Sequence, residues 1–353
     1  MCTTRKKTNL IWGYIVKKIL LFLVIFLMAF SSLFAAAEEE DDELVVGYVI
    51  PYEIGWFAAF VQGFELVAEA EGVKTTRLHH NYNPAEETTA VENLIAQGVD
   101  GINVTSASPT SAEYSCRLAN QAGIPIQVTE SGVAEGEGKP FADIDFNWNA
   151  IYKYIAQNIR RDVDGDLSLI NLQGFLGTPP VMQGIEGLKE ELANLDGMKL
   201  ATDVQDGQYA TAPSLDITKA LVQSGLEFNV AIGSCQEITE GIIQGLKEEN
   251  VPLEDVTIVS VNGGPMDVEN LKKGNIDYVL SQSPAVHGMI CALNLISYLK
   301  GETYQVKTYS PVIWVNQETW QSDLIPWDVD NSWLPVVEEF VKTGEYKPEL
   351  RSN

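Results

Sequence analysis

Leu44-Val45-Val46-Gly47-Tyr48-Val49-Ile50 is a short run with no charged side chain, followed by a loop holding Trp56-Phe57 and a helical pattern that stops at Gly72. A strand that is apolar on both faces belongs in a sheet covered on both sides; a half-solvated strand would alternate. A polar strand over residues 74–78 leads into Asn83-Pro84-Ala85-Glu86, which reads as an N-cap, a Pro at N1 and a capping-box Glu at N3. Val91, Leu94 and Ile95 supply that helix's apolar face and Gly98 its stop. Residues 99–104 give a third strand, Ser108-Pro109 opens a helix closed by Gly123, and residues 124–129 give a fourth strand. Apolar strands separated by helices predict an α/β fold with a parallel sheet covered on both faces.

The rhythm then restarts. Strands are expected over 167–172, 198–204, 228–233, 256–261 and 276–280, with helices near 181–195, 213–224, 236–249, 265–273 and 284–299. A chain of 353 residues is long for one core and suits two domains of similar make-up. The last forty or so residues break the pattern. Trp314, Trp320, Trp327 and Trp333 alternate with Pro326 and Pro335, an irregular aromatic tail with one helix near 334–342. Such a tail is expected to pack on the domain rather than serve recognition.

Lys and Arg number 23 against 49 Asp and Glu, a net charge of −26. That surface repels nucleic acid and anionic lipid, so neither is an expected partner. The hydrophobic share of 45% excludes a disordered chain. Basic residues at 5–18 precede an apolar run over 19–34 and Ala35-Ala36-Ala37, with an acidic run directly after. This predicts a secretory signal over 1–37, cut near Ala37, and a periplasmic protein. An uncleaved anchor helix is the alternative, though the run is near the short limit for a span. No Cys ends the apolar run, so a lipid anchor is not expected, and no later segment is apolar enough to span a membrane.

Cys116, Cys235 and Cys291 follow Cys2 in a spacing that is neither a disulfide framework nor a zinc motif. Cys116 and Cys291 read as small buried residues. No G-x-S-x-G, Walker-A or strand-linked G-x-G-x-x-G motif is present, and His79, His80 and His287 are too few and ill-placed for a triad. An enzyme, a metal site and a cofactor are therefore not expected. In open parallel sheets ligands sit beyond the carboxyl ends of the strands. The loops there, 51–57, 79–83, 105–109, 129–131, 173–183, 234–237, 262–264 and 282–284, hold aromatic, amide, hydroxyl and carboxylate groups. That mix suits a neutral polyhydroxylated ligand, although ordinary surface loops are also polar.

Gly47-Tyr48-Val49-Ile50 with Trp56-Phe57, Asn83-Pro84-Ala85-Glu86, Asn120-Gln121-Ala122-Gly123-Ile124-Pro125, Leu172-Gln173-Gly174 with Gly177-Thr178, and Asn262-Gly263-Gly264-Pro265 fall in a telling order. Over about residues 44–315 the chain resembles the ribose-binding-protein-like, type I solute receptors of ABC importers. The resemblance implies two Rossmann-like domains joined by three hinge crossings and closing on one sugar. It implies lobes over 44–143 plus 284–309 and over 144–283 plus 310–353, the latter carrying the aromatic tail. Carried over by position, Trp56 and Phe57 match the stacking aromatics, and Gln282 matches a Gln near the second crossing. Glu130 stands where the family usually has Asp and Ser131 where it has Arg. Met182 falls near a second usual Arg, Cys235 replaces an Asn, Asn262 replaces an Asp, and Asp143 or Asp145 lies near the first crossing. Arg77, Arg117, Arg160, Arg161 and Arg351 all lie outside the expected pocket loops, which removes the bidentate donors that would fix ribose.

The resemblance implies an exported monomeric receptor that hands a sugar-like ligand to an ABC permease in the membrane. A signalling receptor that presents a sugar or furanose-type autoinducer to a sensor kinase or chemoreceptor is the alternative. Cys235 is expected at the pocket wall. It is either a small shaping residue or a thiol whose thiolate is favoured at a helix N-terminus, and a disulfide to Cys291 fits less well.

Overall fold

The computed structural model describes residues 43–352, so the expected signal segment lies outside the described residues. The chain opens with β1 (Val45–Ile50), α1 (Trp56–Ala70), β2 (Lys74–His79), α2 (Pro84–Gln97), β3 (Gly101–Thr105), α3 (Pro109–Ala122), β4 (Ile126–Thr129) and β5 (Ala142–Asp145). It continues through α4 (Trp148–Asp162), β6 (Leu167–Gln173), α5 (Pro179–Leu192), β7 (Met198–Leu200), β8 (Gln205–Asp206), α6 (Thr211–Gln223), β9 (Val230–Gly233) and α7 (Gln236–Glu248). Then come β10 (Thr257–Asn262), α8 (Pro265–Lys273), β11 (Tyr278–Ser281), α9 (Pro284–Lys300), β12 (Lys307–Tyr309), β13 (Ile313–Asn316), α10 (Trp320–Asp323) and α11 (Leu334–Thr343).

Among the described residues these strands form two sheets. The first runs β12-β5-β4-β3-β1-β2, all parallel, and the second runs β13-β11-β10-β9-β6-β7 with β8 also on β6. Only β13, on β11, is antiparallel. The chain crosses between sheets after β5, after β11 and after β12, the three crossings expected. β1 owes its place in the first sheet to being apolar on both faces. Val46, Tyr48 and Ile50 pack with α1 and α9, while Val49 packs with Val91 and Leu94 of α2.

Local chemistry sets the helix ends. Asn83 accepts from the Ala85 amide at 2.9 Å, and Pro84 needs no donor at N1. Glu86 does not close the expected capping box; it accepts from the side-chain amides of Asn81 and Asn83. The neighbouring Glu87 is buried and takes Ser106 Oγ, Ser115 Oγ and the Ala107 amide, all at 2.7 Å. Gly98 and Gly123 end α2 and α3 in the left-handed region.

α1 and α9 cross at two glycines. A Cβ on Gly63 would strike the Ala285 carbonyl and one on Gly288 the Phe60 carbonyl, so only glycine permits this approach. The packing leaves α9 buried on every side from Pro284 to Ser297. A helix apolar all round must be covered all round, and that need decides the tail. Ile325, Val329, Trp333, Val336, Val337, Phe340 and Val341 share one core with Phe60, Phe64 and Ile290. The tail beyond residue 325, expected on the second lobe, thus returns to the first and covers α9. Only the β13–α10 portion, with Trp320 and Leu324, packs in the second. The aromatic residues of the tail are structural here: Trp333 is buried under the Arg351 guanidinium, and Trp314 stacks on Tyr278.

Candidate ligand-binding site

Among the described residues, the loops at the carboxyl ends of both sheets carry six of the seven non-glycine residues with positive φ, Asn250 after α7 being the other. Asn81 and Tyr82 follow β2, Glu130 follows β4, Gln208 and Tyr209 follow β8, and Asn262 ends β10, all with positive φ and none of them glycine. Side chains other than Gly, Asn and Asp resist this region, and such strain persists where the surroundings fix it, commonly at binding sites.

In the first lobe two carboxyls stand side by side. β4 pairs with β5 so that Thr129 lies opposite Ile144, which places Glu130 and Asp145 at the adjacent ends of neighbouring strands. The left-handed turn at Glu130 (φ 71°) breaks the strand's alternation there. Its Oε1 comes 3.4 Å from His287 Nε2 and has no hydrogen-bond partner, though only 18% of the side chain is exposed. Burial, reinforced by Asp145, pushes the Glu130 carboxyl well above the usual carboxylate range. Asp145 is pushed up to about 7 by burial, against the pull of the Phe146 amide 2.7 Å from its Oδ1.

His287 supplies no counter-charge. It is fully buried between Thr129 Oγ1 and Ser310 Oγ, each 2.6 Å away, and burial drives its pKa down to about 3. It is a neutral strut joining α9 to the segments that run between the lobes. Lys307 is the cation nearby; it pairs with Asp143 Oδ2 at 3.7 Å from a largely exposed position and lowers Asp145 only weakly.

Aromatic rings stand at the neighbouring strand ends, with Tyr82 and Tyr209 near enough for Glu130 to act on their hydroxyls. Tyr52 meets Phe57 and Tyr82 edge-on at 5.3 and 5.8 Å. Tyr52 and Tyr82 are exposed, whereas Phe57 is buried behind them. Trp56, expected to stack on a ligand, packs on Phe57, Phe60 and His287 and touches the cores of both lobes. From the second lobe Tyr209 sits over Gly174, where a Cβ would strike its ring. Burial, with Glu130 and Tyr52 among its acidic neighbours, holds the Tyr209 hydroxyl above its usual range. Glu237 acts on Tyr52 in the same way from α7. The two lobes therefore face one another across these rings.

The second lobe's floor is polar. Gln282 Nε2 donates to Asn262 Oδ1, and Trp327 Nε1 donates to the carbonyls of both residues at 3.2 and 3.1 Å. Gln282 Oε1 and Ser234 Oγ are buried with no partner. Asp267 is held by the Gly263 and Gly264 amides, and burial raises it to about 7.

The remaining expected residues divide. Ser131 spends its hydroxyl on the Gly132 carbonyl, and Met182 lies exposed on the first turn of α5. Cys235 caps α7 but is buried with Ile238 and Ile242. Burial pushes its thiol well up, the reverse of an activated thiolate, because the dry surroundings outweigh the helix N-terminus. Cys116, Cys235 and Cys291 are all free, so the disulfide alternative falls. The sequence reaches the loops of Tyr52 and Tyr82 without singling out those rings, and the loop of Tyr209 lies outside the expected pocket loops. Their positive-φ or loop positions carry no composition signal, and in the sequence Trp327 reads only as tail packing.

Two parallel-sheet lobes, joined by three crossings and meeting at polar and aromatic strand ends, define a bilobal solute-binding protein. Residues 46–303 match the family model described as periplasmic binding protein domain, and the chain belongs to that family. It is 23% identical over 252 residues to the ribose import binding protein of Haemophilus influenzae, covering 71% of this chain and 84% of that one. It is 22% identical to the galactofuranose-binding protein of Escherichia coli, over 69% of this chain and 79% of that one. Among solved structures, an ABC transporter solute-binding protein from Burkholderia graminis in complex with D-arabinose superposes with a TM-score of 0.72 at 20% identity. That match spans 81% of this chain and all of that one.

Proposed function

We propose that the protein is an exported solute receptor that captures a small polyhydroxylated, sugar-like ligand between its lobes and delivers it to an ABC permease. The observation that carries the reading is the convergence of strained, non-glycine loop residues from both lobes: Tyr82, Glu130, Tyr209 and Asn262. Rings give flat faces for the ligand, while Gln282 and Ser234 offer unpartnered polar atoms that hydroxyls would satisfy. Family membership and relatives named for ribose and galactofuranose support the same reading. In this reading residues 1–37 are a signal cut near Ala37, the receptor works as a periplasmic monomer without catalysis, and nucleic acid is no partner. Trp56, Phe57, Glu130, Asp145, Asn262 and Gln282 remain its proposed binding set, with Ser131 and Met182 at the wall and Cys235 buried behind it.

A thermal-shift screen of the mature protein against sugars, polyols and sugar amines tests it. A ligand that binds only the folded state raises the melting temperature with concentration. No shift with any compound at millimolar levels would overturn the receptor reading.

A further inference from the structure

The cleft is acidic, and among the described residues the nearby cations are already paired, Arg77 with Glu53 and Lys307 with Asp143. Glu130 and Asp145 end adjacent strands of one lobe, and Glu237 faces Tyr52 from the other. Glu130 Oε1 is buried without a partner, its nearest nitrogen belongs to a His287 held neutral, and the Lys307 ammonium is spent on Asp143. Ser131, next to Glu130 in the chain, carries no charge and spends its hydroxyl on the Gly132 carbonyl.

The exposed electron-rich rings on the Glu130 side are Tyr82 and Tyr209, with Tyr52 edge-on to Tyr82. Such faces attract a cation, and more strongly where water is excluded. Gln282 Oε1, in a side chain almost wholly buried, is a further acceptor without a donor. Buried acceptors without partners are costly, so a ligand that fits brings donors, and beside carboxyls a charged donor bonds more strongly than a neutral one. A neutral polyol brings donors alone.

We propose that the ligand's polyol frame carries a protonated amine, received by the Glu130–Asp145 pair beside the rings of Tyr52, Tyr82 and Tyr209. This deepens the receptor reading and rests on it, replacing the neutral ligand expected from loop composition with an amino sugar or amino polyol.

Binding of an ammonium requires an ionised carboxyl beside it. In the empty cleft burial opposes charge on both carboxyls: it raises Glu130 well above the usual carboxylate range and lifts Asp145 to about 7. Ligand binding therefore releases protons, and affinity rises from about pH 6 to about pH 8. The groups facing the pair are Asp143 on β5, Lys307 on β12, His287 and Cys291 on α9, and the hydroxyls of Tyr82 and Tyr209. His287 stays neutral, and burial holds the Cys291 thiol and both tyrosine hydroxyls above their usual ranges.

Calorimetric titration with matched probes tests the inference: D-glucose against D-glucosamine, D-galactose against D-galactosamine, sorbitol against 1-amino-1-deoxysorbitol, and myo-inositol against a monoamino inositol. At least one amine should bind about tenfold or more tightly than its neutral partner, a difference of about 1.4 kcal/mol. Its heat should vary with the buffer's ionisation enthalpy in the sense of proton release. Glu130→Gln and Asp145→Asn should erase the preference, while Glu130→Asp should retain part of it. Neutral members that bind as tightly as or more tightly than the amines would overturn the inference and leave the receptor reading standing. A panel in which neither class binds would overturn both. If a variant fails to fold, wild-type proton release decides; its absence on amine binding sinks the proposal.

Discussion

Glu130 Oε1 lies 3.4 Å from His287 Nε2, yet the two do not form an ion pair, because burial keeps the imidazole neutral between its two hydroxyl partners. The relationship divides the labour at the crossings. His287 sets where Glu130 stands, and Glu130 is left with an acceptor for something else. His287→Gln can keep one hydroxyl bond but not both. It should weaken binding of whatever ligand the thermal-shift screen identifies several-fold and lower stability by about 1–3 kcal/mol, the cost of stranding a buried polar partner. Equal affinity in the variant would show that Glu130 is placed by its own backbone turn alone.

Trp56 and Tyr82 should separate stability from binding. Trp56 packs against the cores of both lobes, so Trp56→Ala should cost about 2 kcal/mol of folding stability as well as affinity. Half of the Tyr82 side chain is exposed. Tyr82→Ala should leave the denaturation midpoint nearly unchanged but cost about 1–2 kcal/mol of binding, in the range of an interface aromatic. Paired denaturation and calorimetry decide; a Tyr82 variant that binds normally would remove that ring from the site.

Asp145→Asn should show a pH signature. Burial lifts the folded carboxyl to about 7, far above its unfolded value of about 3.9. Between those values the folded protein keeps a proton that the unfolded chain has lost. This group's contribution to stability is therefore full below about pH 4 and declines as pH rises toward 7. Asn cannot ionise and can still accept from the Phe146 amide. The variant should gain on the wild type in urea denaturation between about pH 4.5 and about pH 8. A gap that stays constant would mean Asp145 is ionised in the empty cleft.

Gly288→Ala is expected to cost about 1–3 kcal/mol, the usual range for overpacking, since its Cβ meets the Phe60 backbone and not a movable side chain. Chemical denaturation measures it. A variant as stable as wild type would mean α1 and α9 can move apart freely.

Cys235 should resist a thiol reagent in the native protein with or without ligand, because it is 4% exposed and sits among Ile238 and Ile242. Rapid labelling without ligand, slowed when a binding sugar is added, would return it to the open cleft wall. Mass spectrometry of the timed reaction distinguishes the two.

Most strands and helices were legible because their causes are local. The apolar run from Val45 to Ile50 and the Asn83-Pro84 helix start act over a few residues. β5, β12 and β13 were not legible as strands. They have four, three and four residues, and Ala142-Asp143-Ile144-Asp145 carries two acids, so no periodic signal could build. Along 198–204 only Met198–Leu200 pairs with β6, and Gln205–Asp206 takes up the pairing further on. Their pairing partners are remote in sequence, and the sheet supplies what the segment lacks.

By itself, then, the sequence determined the class of fold, the order of its βα units, the loops at the ligand end and the shortage of basic residues there. These follow from spacing and composition, which neighbouring residues express without help. The tertiary structure alone decided that Glu130 and Asp145 stand together, that His287 beneath them is neutral, and that Tyr52, Tyr82 and Tyr209 supply the open rings while Trp56 packs inside. It also decided that the tail from Ile325 returns to cover α9. Charge state and exposure are set by burial and by partners brought from distant parts of the chain, and no local pattern of residues encodes who those partners are.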